Sequence, residues 1–411
     1  YHPLETLKLT ARAGYYFRER NKPGDTQDRY RDFNGGLKAN YTFNTLSNLE
    51  VGYTFDQYDK SDYQVLYKND VRDYSNVQHN VHALYNYTFN EKHTLTVGAD
   101  YLRDYLMSYQ FTDNANYIMH TADVFGQFDW NPTERLNVIA GLRFDYFSDS
   151  NVRHLSPHLG MMYKIGNCSL RGSYSQGFRS PTLKEMYMVF NMANMMMIYG
   201  NPDLKSETSH NFSLSAEYTK NRYNFSVTGY YNLVHNRINT VYSDDPKGQI
   251  YTNTDKVDIA GVDANISAKY PCGLGFRMSY TYIHEFMRDG QKKFTDTRPH
   301  TATVRVDWGE NLDKVDFNYS LNGRILSEVK TNVYNDSFNN PAAGSTAVTY
   351  PGYMIWDLTF SVGVFKGVNM NLAINNLFNY VPDYYYFNSP TTTGANLTLG
   401  LSLDIDRFFK K

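Results

Sequence analysis

Between residues 178 and 207 the chain collects the side chains best suited to holding a ligand. Six of its 14 methionines fall there, at 186, 188, 192, 195, 196 and 197. Thioether sulfur is soft and polarisable. Met192, Met195, Met196 and Met197 therefore suit contact with a flat apolar ligand, or iron ligation; unbranched Met also fills irregular apolar gaps, which is the plainer role. Two short sequences bracket the cluster, Phe178-Arg179-Ser180-Pro181 and Asn201-Pro202-Asp203-Leu204. Arg179, and Lys205 just beyond, are cations that could meet an anionic chelate. Arg179 suits a structural ion pair in a polar wall equally well. His120, His154, His235 and His284 fall near expected loop ends, where one could ligate a metal, although an exposed polar role is the simpler reading. His79 and His82 are three apart, which in a strand puts them on opposite faces, so they make no metal pair.

Other chemistries find little support. There is no Gly-rich phosphate loop and no nucleophile elbow, and the carboxylates are scattered, so the chain reads as a non-enzyme. The formal net charge of −2 supplies no basic face for nucleic acid. No run approaches the ~18 apolar residues of a transmembrane helix. Mean hydropathy is −0.57, yet Tyr numbers 38 and Phe 25 among 411 residues. A polar average with many aromatics fits either a large soluble all-β protein or a transmembrane β-barrel, in which only alternate residues meet lipid and aromatics girdle both interfaces.

The elements that must position the cluster decide between these. Strand candidates run over 5–18, 29–43, 48–60, 74–89, 93–109, 116–130, 135–148, 155–164, 168–178, 209–220, 223–238, 250–270, 274–287, 296–308, 314–326, 352–365, 368–380 and 395–409, with no helix-period segment. Alternation is strict. Leu274, Phe276, Met278, Tyr280 and Tyr282 oppose Gly275, Arg277, Ser279 and Thr281. Leu397, Leu399, Leu401, Leu403 and Ile405 oppose Thr398, Gly400, Ser402, Asp404 and Asp406. Phe276, Met278, Leu358, Phe360, Leu399 and Leu401 are expected to face lipid; Arg277, Ser279, Thr359, Thr398 and Ser402 are expected to face inward. The connections alternate between short turns such as 166–168, 220–222 and 271–275 and long polar loops at 19–28, 60–73, 109–115, 148–154, 179–208, 239–249, 287–295, 327–351 and 381–394. This is the plan of an all-β, antiparallel outer-membrane barrel with periplasmic turns and extracellular loops. Lipid satisfies no backbone group, so either these strands close on themselves or further strands complete the wall.

Cys168 and Cys272 each sit in a tight turn, four strands apart. At ~4.8 Å per strand they are about 20 Å apart, beyond the ~7 Å reach of a disulfide. The chain starts at Tyr1 without Met or signal peptide, which reads as a fragment or a mature chain lacking its N-terminal part.

Several stretches resemble the TonB-dependent outer-membrane receptors, and within them the haem and haemoglobin receptors. Ala140-Gly141-Leu142-Arg143-Phe144-Asp145, Ser156-Pro157-His158-Leu159-Gly160, Arg298-Pro299-His300 and Ile374-Asn375-Asn376-Leu377-Phe378-Asn379 look like strand and turn motifs of that family. The pair Phe178–Pro181 and Asn201–Leu204 is similar to the pair that frames the haem loop. The resemblance implies a barrel of about 22 strands with a plugged lumen, of which eighteen are visible over 1–411. The plug, the first four strands and the TonB-contacting box would lie upstream, and the bracketed loop would follow strand 13 of the whole. It implies import of an iron chelate, haem first, across the outer membrane of a Gram-negative cell. The expected partners are the TonB-ExbB-ExbD complex, outer-membrane lipid and a surface lipoprotein or haem-carrier protein, with no intrinsic cofactor. It makes Phe178, Arg179, Met192, Met195, Met196, Met197, Tyr199, Asn201, Pro202, Asp203 and Leu204 the substrate-binding residues. The resembled receptors place a His between the two motifs; this chain has methionines there. Cobalamin or siderophore import on the same fold, a passive 18-strand porin and a soluble all-β adhesin are the alternatives.

Overall fold

The computed structural model describes all residues except 112–115, 149–151, 193–195, 255, 287–296, 313–314, 336–339, 366, 384–388, 391 and 406–411. The wall begins with β1 (Leu7–Asn21), β2 (Thr26–Asn44), β3 (Ser47–Gln64), β4 (Asn69–Phe89), β5 (His93–Ser108), β6 (Asn116–Trp130), β7 (Leu136–Phe147), β8 (Val152–Ile165) and β9 (Cys168–Arg179). The chain then makes a short helix, α1 (Leu183–Tyr187), and two short strands, β10 (Val189–Met192) and β11 (Met196–Tyr199). The wall resumes with β12 (Glu207–Lys220) and β13 (Tyr223–His235), and a hairpin of β14 (Arg237–Asp244) and β15 (Lys247–Thr254) leaves it again. It continues through β16 (Val257–Lys269), β17 (Leu274–Phe286), β18 (His300–Leu312) and β19 (Val315–Leu326). After the hairpin β20 (Val329–Tyr334) and β21 (Ser345–Tyr350) come β22 (Tyr353–Phe365), β23 (Val368–Asn375) and β24 (Asn396–Leu403).

Eighteen of these strands form one sheet. Each pairs antiparallel with the next in sequence, from β1–β2 to β23–β24, without a crossover. Among the described residues β1 and β24 do not pair with each other, so each leaves one edge open. All eighteen expected strands are present. Cys168 and Cys272 are free thiols.

The pairing register fixes the faces. Met278 lies opposite Val304, Phe360 opposite Tyr319 and Leu372, and Leu401 opposite Met370, which makes continuous apolar rows across strands. On that face Leu399 is 73% exposed and Leu401 66%. The opposite face is polar: Arg277 lies beside Arg305, Thr359 beside Ser320, and Ser361 beside Asn371. Cross-strand ion pairs populate it, with Arg143 to Asp123 at 2.9 Å and Arg171 to Glu217 at 2.7 Å. His79 and His82 fall on opposite faces, His79 bonded to Tyr53 and His82 facing Glu50. An apolar face with nothing packed on it requires lipid.

Several expectations need correction. The segments 19–28 and 60–73 are not loops; β1 to β4 continue through most of them as paired strand. The expected strand 250–270 is two strands, β15 and β16, in different sheets. Strand 223–238 stops at His235, and the loop 239–249 carries most of β14 and the start of β15. A hairpin, β20–β21, stands within 327–351. β23 ends at Asn375 and β24 at Leu403, short of the expected 380 and 409, although 406–409 lie outside the described residues; and the described residues include two short helical turns, α1 and a 3-10 turn at Pro341–Ala343.

Candidate functional site

The bracketed segment is an organised head at the loop end of β9. It starts with a helix too short to be read from periodicity. Thr182 caps α1: its Oγ1 accepts from the Glu185 N–H at 3.2 Å, while the Glu185 carboxylate accepts from the Thr182 N–H at 2.9 Å. This reciprocal box satisfies the donors a helix start leaves over. Glu185 also takes two hydrogen bonds from Arg179 Nη1, at 2.9 and 3.0 Å, and Glu207 lies 3.6 Å from Nη2. Arg179 is thus a structural cation that locks the end of β9 to the helix. Ser180 and Pro181 are buried beneath it.

The helix delivers Leu183 and Met186 into an apolar core. Leu106, Phe111, Met119, Leu183, Met186, Met188, Leu204 and Ile238 pack together there, each at most 9% exposed. Leu106 and Met119 lie on the polar, inward face of β5 and β6, so the head leans over the mouth of the wall. Phe111 bridges to Met188, and Tyr187 stacks on Tyr117 at 3.9 Å between ring centres. The methionines therefore divide into two groups. Met186 and Met188 are core. Met192 is 46% exposed at the hairpin tip, where it pairs with Met196, and Asn191 pairs with Met197. Met195 lies outside the described residues.

The β10–β11 hairpin is not left alone. Tyr199 of β11 runs parallel beside Ile250 of β15, which joins two separate insertions into one four-stranded sheet. Gly248 and Gly200 allow the close approaches. A Cβ on Gly248 would stand 2.5 Å from the Met197 carbonyl oxygen, and one on Gly200 would stand 2.7 Å from that of Met186. The Asn201–Leu204 motif is the latch. Asn201 donates to the Tyr251 carbonyl at 3.0 Å and accepts from the Asp203 N–H at 2.9 Å. Asn253 exchanges hydrogen bonds with the Lys205 backbone at 2.7 Å each way. Leu204 is buried, whereas Pro202, Asp203 and Lys205 are exposed.

The residues anticipated from sequence thus occupy one unit but different depths. Arg179, Asn201 and Leu204 brace it. Met192, Met196, Met197, Tyr199, Pro202 and Asp203 lie at or near its surface. Phe178 stacks on His154 at 4.2 Å between ring centres. His154 faces inward, and its Nε2 is buried without a hydrogen-bond partner; His120, His235 and His284 fall on the outward face. Sequence reasoning missed Glu185, Tyr251 and Asn253. The Thr182-x-x-Glu185 spacing signalled the first; the other two act across 48 and 50 residues. Among the described residues no cluster of His, Cys, Asp and Glu would hold a metal ion.

The family model described as TonB dependent receptor-like, beta-barrel matches residues 3–377. The iron-regulated outer membrane virulence protein of Vibrio cholerae is 24% identical over 297 residues, covering 67% of this chain and 43% of that protein. The heme/hemopexin utilization protein C of Haemophilus influenzae is 22% identical over 335 residues, covering 69% of this chain and 44% of that protein. The chain thus spans less than half the length of these curated relatives. The solved structure of the siderophore receptor PirA from Pseudomonas aeruginosa superposes with a TM-score of 0.76 at 15% identity, covering 98% of this chain and 68% of that one.

Proposed function

The chain belongs to the TonB dependent receptor-like β-barrel family, and from that premise we propose that it serves the import of an iron chelate, haem, through the outer membrane. Its strands are the crossing elements of an outer-membrane barrel; among the described residues no helix is long and apolar enough to cross. The polar face lines the lumen, and the head over its mouth receives the chelate. The proposed energy source is TonB with ExbB and ExbD. A surface lipoprotein or haem carrier is the proposed donor.

One observation carries the reading. The head presents Met192, Met196 and Met197 at a hairpin tip that is braced by its own core and by a second insertion. A braced apolar tip over a polar lumen is built to hold a flat apolar ligand, and exposed apolar surface of this kind marks a binding site. Thioether sulfur is an axial partner for haem iron in other proteins, so a tip methionine takes the place of the histidine that the resembled receptors carry. With Arg179 committed to Glu185, the exposed Lys205 is the cation proposed to meet the haem carboxylates.

Siderophore import is the second reading, favoured by the superposition on a siderophore receptor. Equilibrium titration of the full-length protein with haem, beside a ferric catecholate chelate, separates the two. We expect saturable haem binding with a Kd of about 1 μM or tighter. Saturation by the ferric catecholate alone moves the assignment to siderophores, and no saturation by either rejects iron-chelate import.

A further inference from the structure

Four hairpins of the wall carry the same pair of side chains in the same geometry. The Tyr53 hydroxyl meets His79 Nδ1 at 2.8 Å, Tyr101 meets His120 at 2.7 Å, Tyr174 meets His210 at 3.0 Å, and Tyr280 meets His300 at 2.7 Å. In each pair the Tyr is on the strand rising to a connection at the loop end of the wall and the His on the strand returning from it. The register is also the same. His79 lies opposite Phe55, His120 opposite Arg103, His210 opposite Gln176 and His300 opposite Tyr282, in each case two residues beyond the Tyr. A fifth hairpin repeats the diagonal with a carboxylate: Tyr231 donates to Asp258 at 3.2 Å, and Asp258 lies opposite Leu233.

All of these residues are on the outward face, in line with exposed Val51, Val81, Val124 and Leu214. They also share a level. Tyr53 follows the strand start Ser47 by six residues, Tyr174 follows Cys168 by six, Tyr280 follows Leu274 by six, and Tyr101 follows His93 by eight. At ~3.3 Å per residue and a tilt of ~40°, that is roughly 15–20 Å above the periplasmic turns, near the top of an apolar band about 25 Å tall. The outward face changes character there. On β3 Leu49, Val51, Tyr53 and Phe55 give way to Gln57 and Asp59, and on β2 Phe33 gives way to Arg31 and Arg29.

A tyrosine alone would suffice at such an interface, since its ring sits in the apolar layer and its hydroxyl in the wet one. The added imidazole changes what the belt offers. When the Tyr O–H donates to Nδ1, the neutral ring carries its proton on Nε2, on the far side of the ring. Among the described residues none accepts from Nε2 of His79, His120, His210 or His300. The next outward positions add Arg103 beside His120 and His235 beside His210, the latter with ring centres 6.1 Å apart.

We propose that these four Tyr–His pairs form a lipid-recognition belt, in which each imidazole Nε2–H donates to a phosphate oxygen of the outer-leaflet lipid. The tyrosine fixes the tautomer and aims the ring, and the histidine makes the contact. Spacing around the wall suits many lipid molecules, one per hairpin, rather than a single bound ligand. The occupant is a phosphorylated glycolipid headgroup, because the pairs stand where the apolar face ends and where such headgroups lie. This inference rests on the outer-membrane placement of the chain and is independent of the transported substrate.

The test uses the full-length protein in phosphatidylcholine nanodiscs doped with bisphosphorylated lipid A or with its dephosphorylated form. Native mass spectrometry counts the glycolipid retained after the disc is removed. We expect the bisphosphorylated form to be retained about fivefold or more over the other, as a few weak hydrogen bonds would give. Replacing all four histidines (His79→Phe, His120→Phe, His210→Phe, His300→Phe) keeps the rings and should bring that ratio near unity. Equal retention by the unaltered protein, or an unchanged ratio in an inserted quadruple variant, overturns the proposal. Gel mobility before and after heating reports insertion separately, so loss of the barrel is not mistaken for loss of the belt. Should the quadruple variant fail to insert, His120→Phe and His300→Phe alone should each lower the ratio, and no change in either is equally decisive against it.

Discussion

Along β17 and β18 the apolar residues Phe276, Met278, Val304 and Val306 form rows by register alone, with no second layer of protein on them. In the head, Leu183, Met186 and Met188 are packed from several sides by Leu106, Phe111, Met119, Leu204 and Ile238. Both regions are apolar, but the solvent for the first is lipid and for the second is protein. The wall is held by backbone pairing that a bilayer makes obligatory, because hydrocarbon offers no other partner for an N–H or C=O. The head stands above the bilayer and must supply a conventional core. Position therefore decides what a substitution does, even when the residue type is the same. Met278 and Met186 are both apolar methionines, one facing lipid and one sealing a core.

The largest effect is expected in the head. Met186→Ala leaves a cavity in the closed core and should cost about 2–5 kcal/mol of local stability. Hydrogen exchange should show α1 and β10 opening while β17 and β18 stay protected; equal deprotection of both would join the regions into one unit. Leu401→Arg is the matching change in the wall. It should cost about 2–4 kcal/mol in a bilayer folding assay if Leu401 lies near the midplane, and a neutral outcome would reject its lipid-facing placement. Glu185→Ala removes the capping box and the Arg179 pair together, and about 0.5–2 kcal/mol is expected. Its effect should be confined to the head in thermal melts followed by limited proteolysis, and unaltered cleavage would deny the bracing role given to Arg179.

The smallest effect concerns the tips of β1 to β4, which stand clear of lipid. The hydrogen bonds that Lys22 Nζ donates to Asp62 and then to Asp28 push Lys22 up to about 12. Burial works to raise Asp28, but Lys22, Lys60 and Arg20 outweigh it and hold the carboxyl below its ordinary value. A raised Lys contributes fully below its unfolded pKa and is lost as pH rises through the folded one. A depressed Asp contributes above its unfolded pKa and is lost as pH falls through the folded one. These tips should thus be tightest between about pH 4 and pH 10 and loosen outside that range. Exchange at 22–28 and 60–64, corrected for the intrinsic pH dependence of amide chemistry, checks this; a flat profile from pH 7 to pH 2 would remove the network from the account.

The same contrast explains what was legible in the sequence. The wall strands were readable because one face meets lipid and the other water, which imposes a period of two on residues such as 274–282 and 397–405. The signal stops where the bilayer does. At Asp28, Ser61 and Asp62 the alternation is gone, so the ends of β2 and β3 looked like loops although their backbones stay paired. The break between β15 and β16 is marked only by the polar run 252–256, which a reading of 250–270 as one strand passes over. For α1, five residues are too few for a helical period, and only the Thr182–Glu185 box betrays it. The division of the methionines into core and tip, and the Tyr–His diagonals, depend on register and on contacts between distant strands. No local pattern records those.

The most direct test is a haem titration of the full-length protein in which Met192, Met195, Met196 and Met197 are all changed to Ala, run beside the unaltered protein. Met192, Met196 and Met197 belong to the tip hairpin, and Met195 joins them on its place in the sequence alone; Met186 and Met188 stay to hold the core. The account predicts weaker binding, a shifted Soret band in the residual complex and an unchanged melting temperature. Unaltered affinity and spectrum would contradict it and remove the head as the place where the chelate is held.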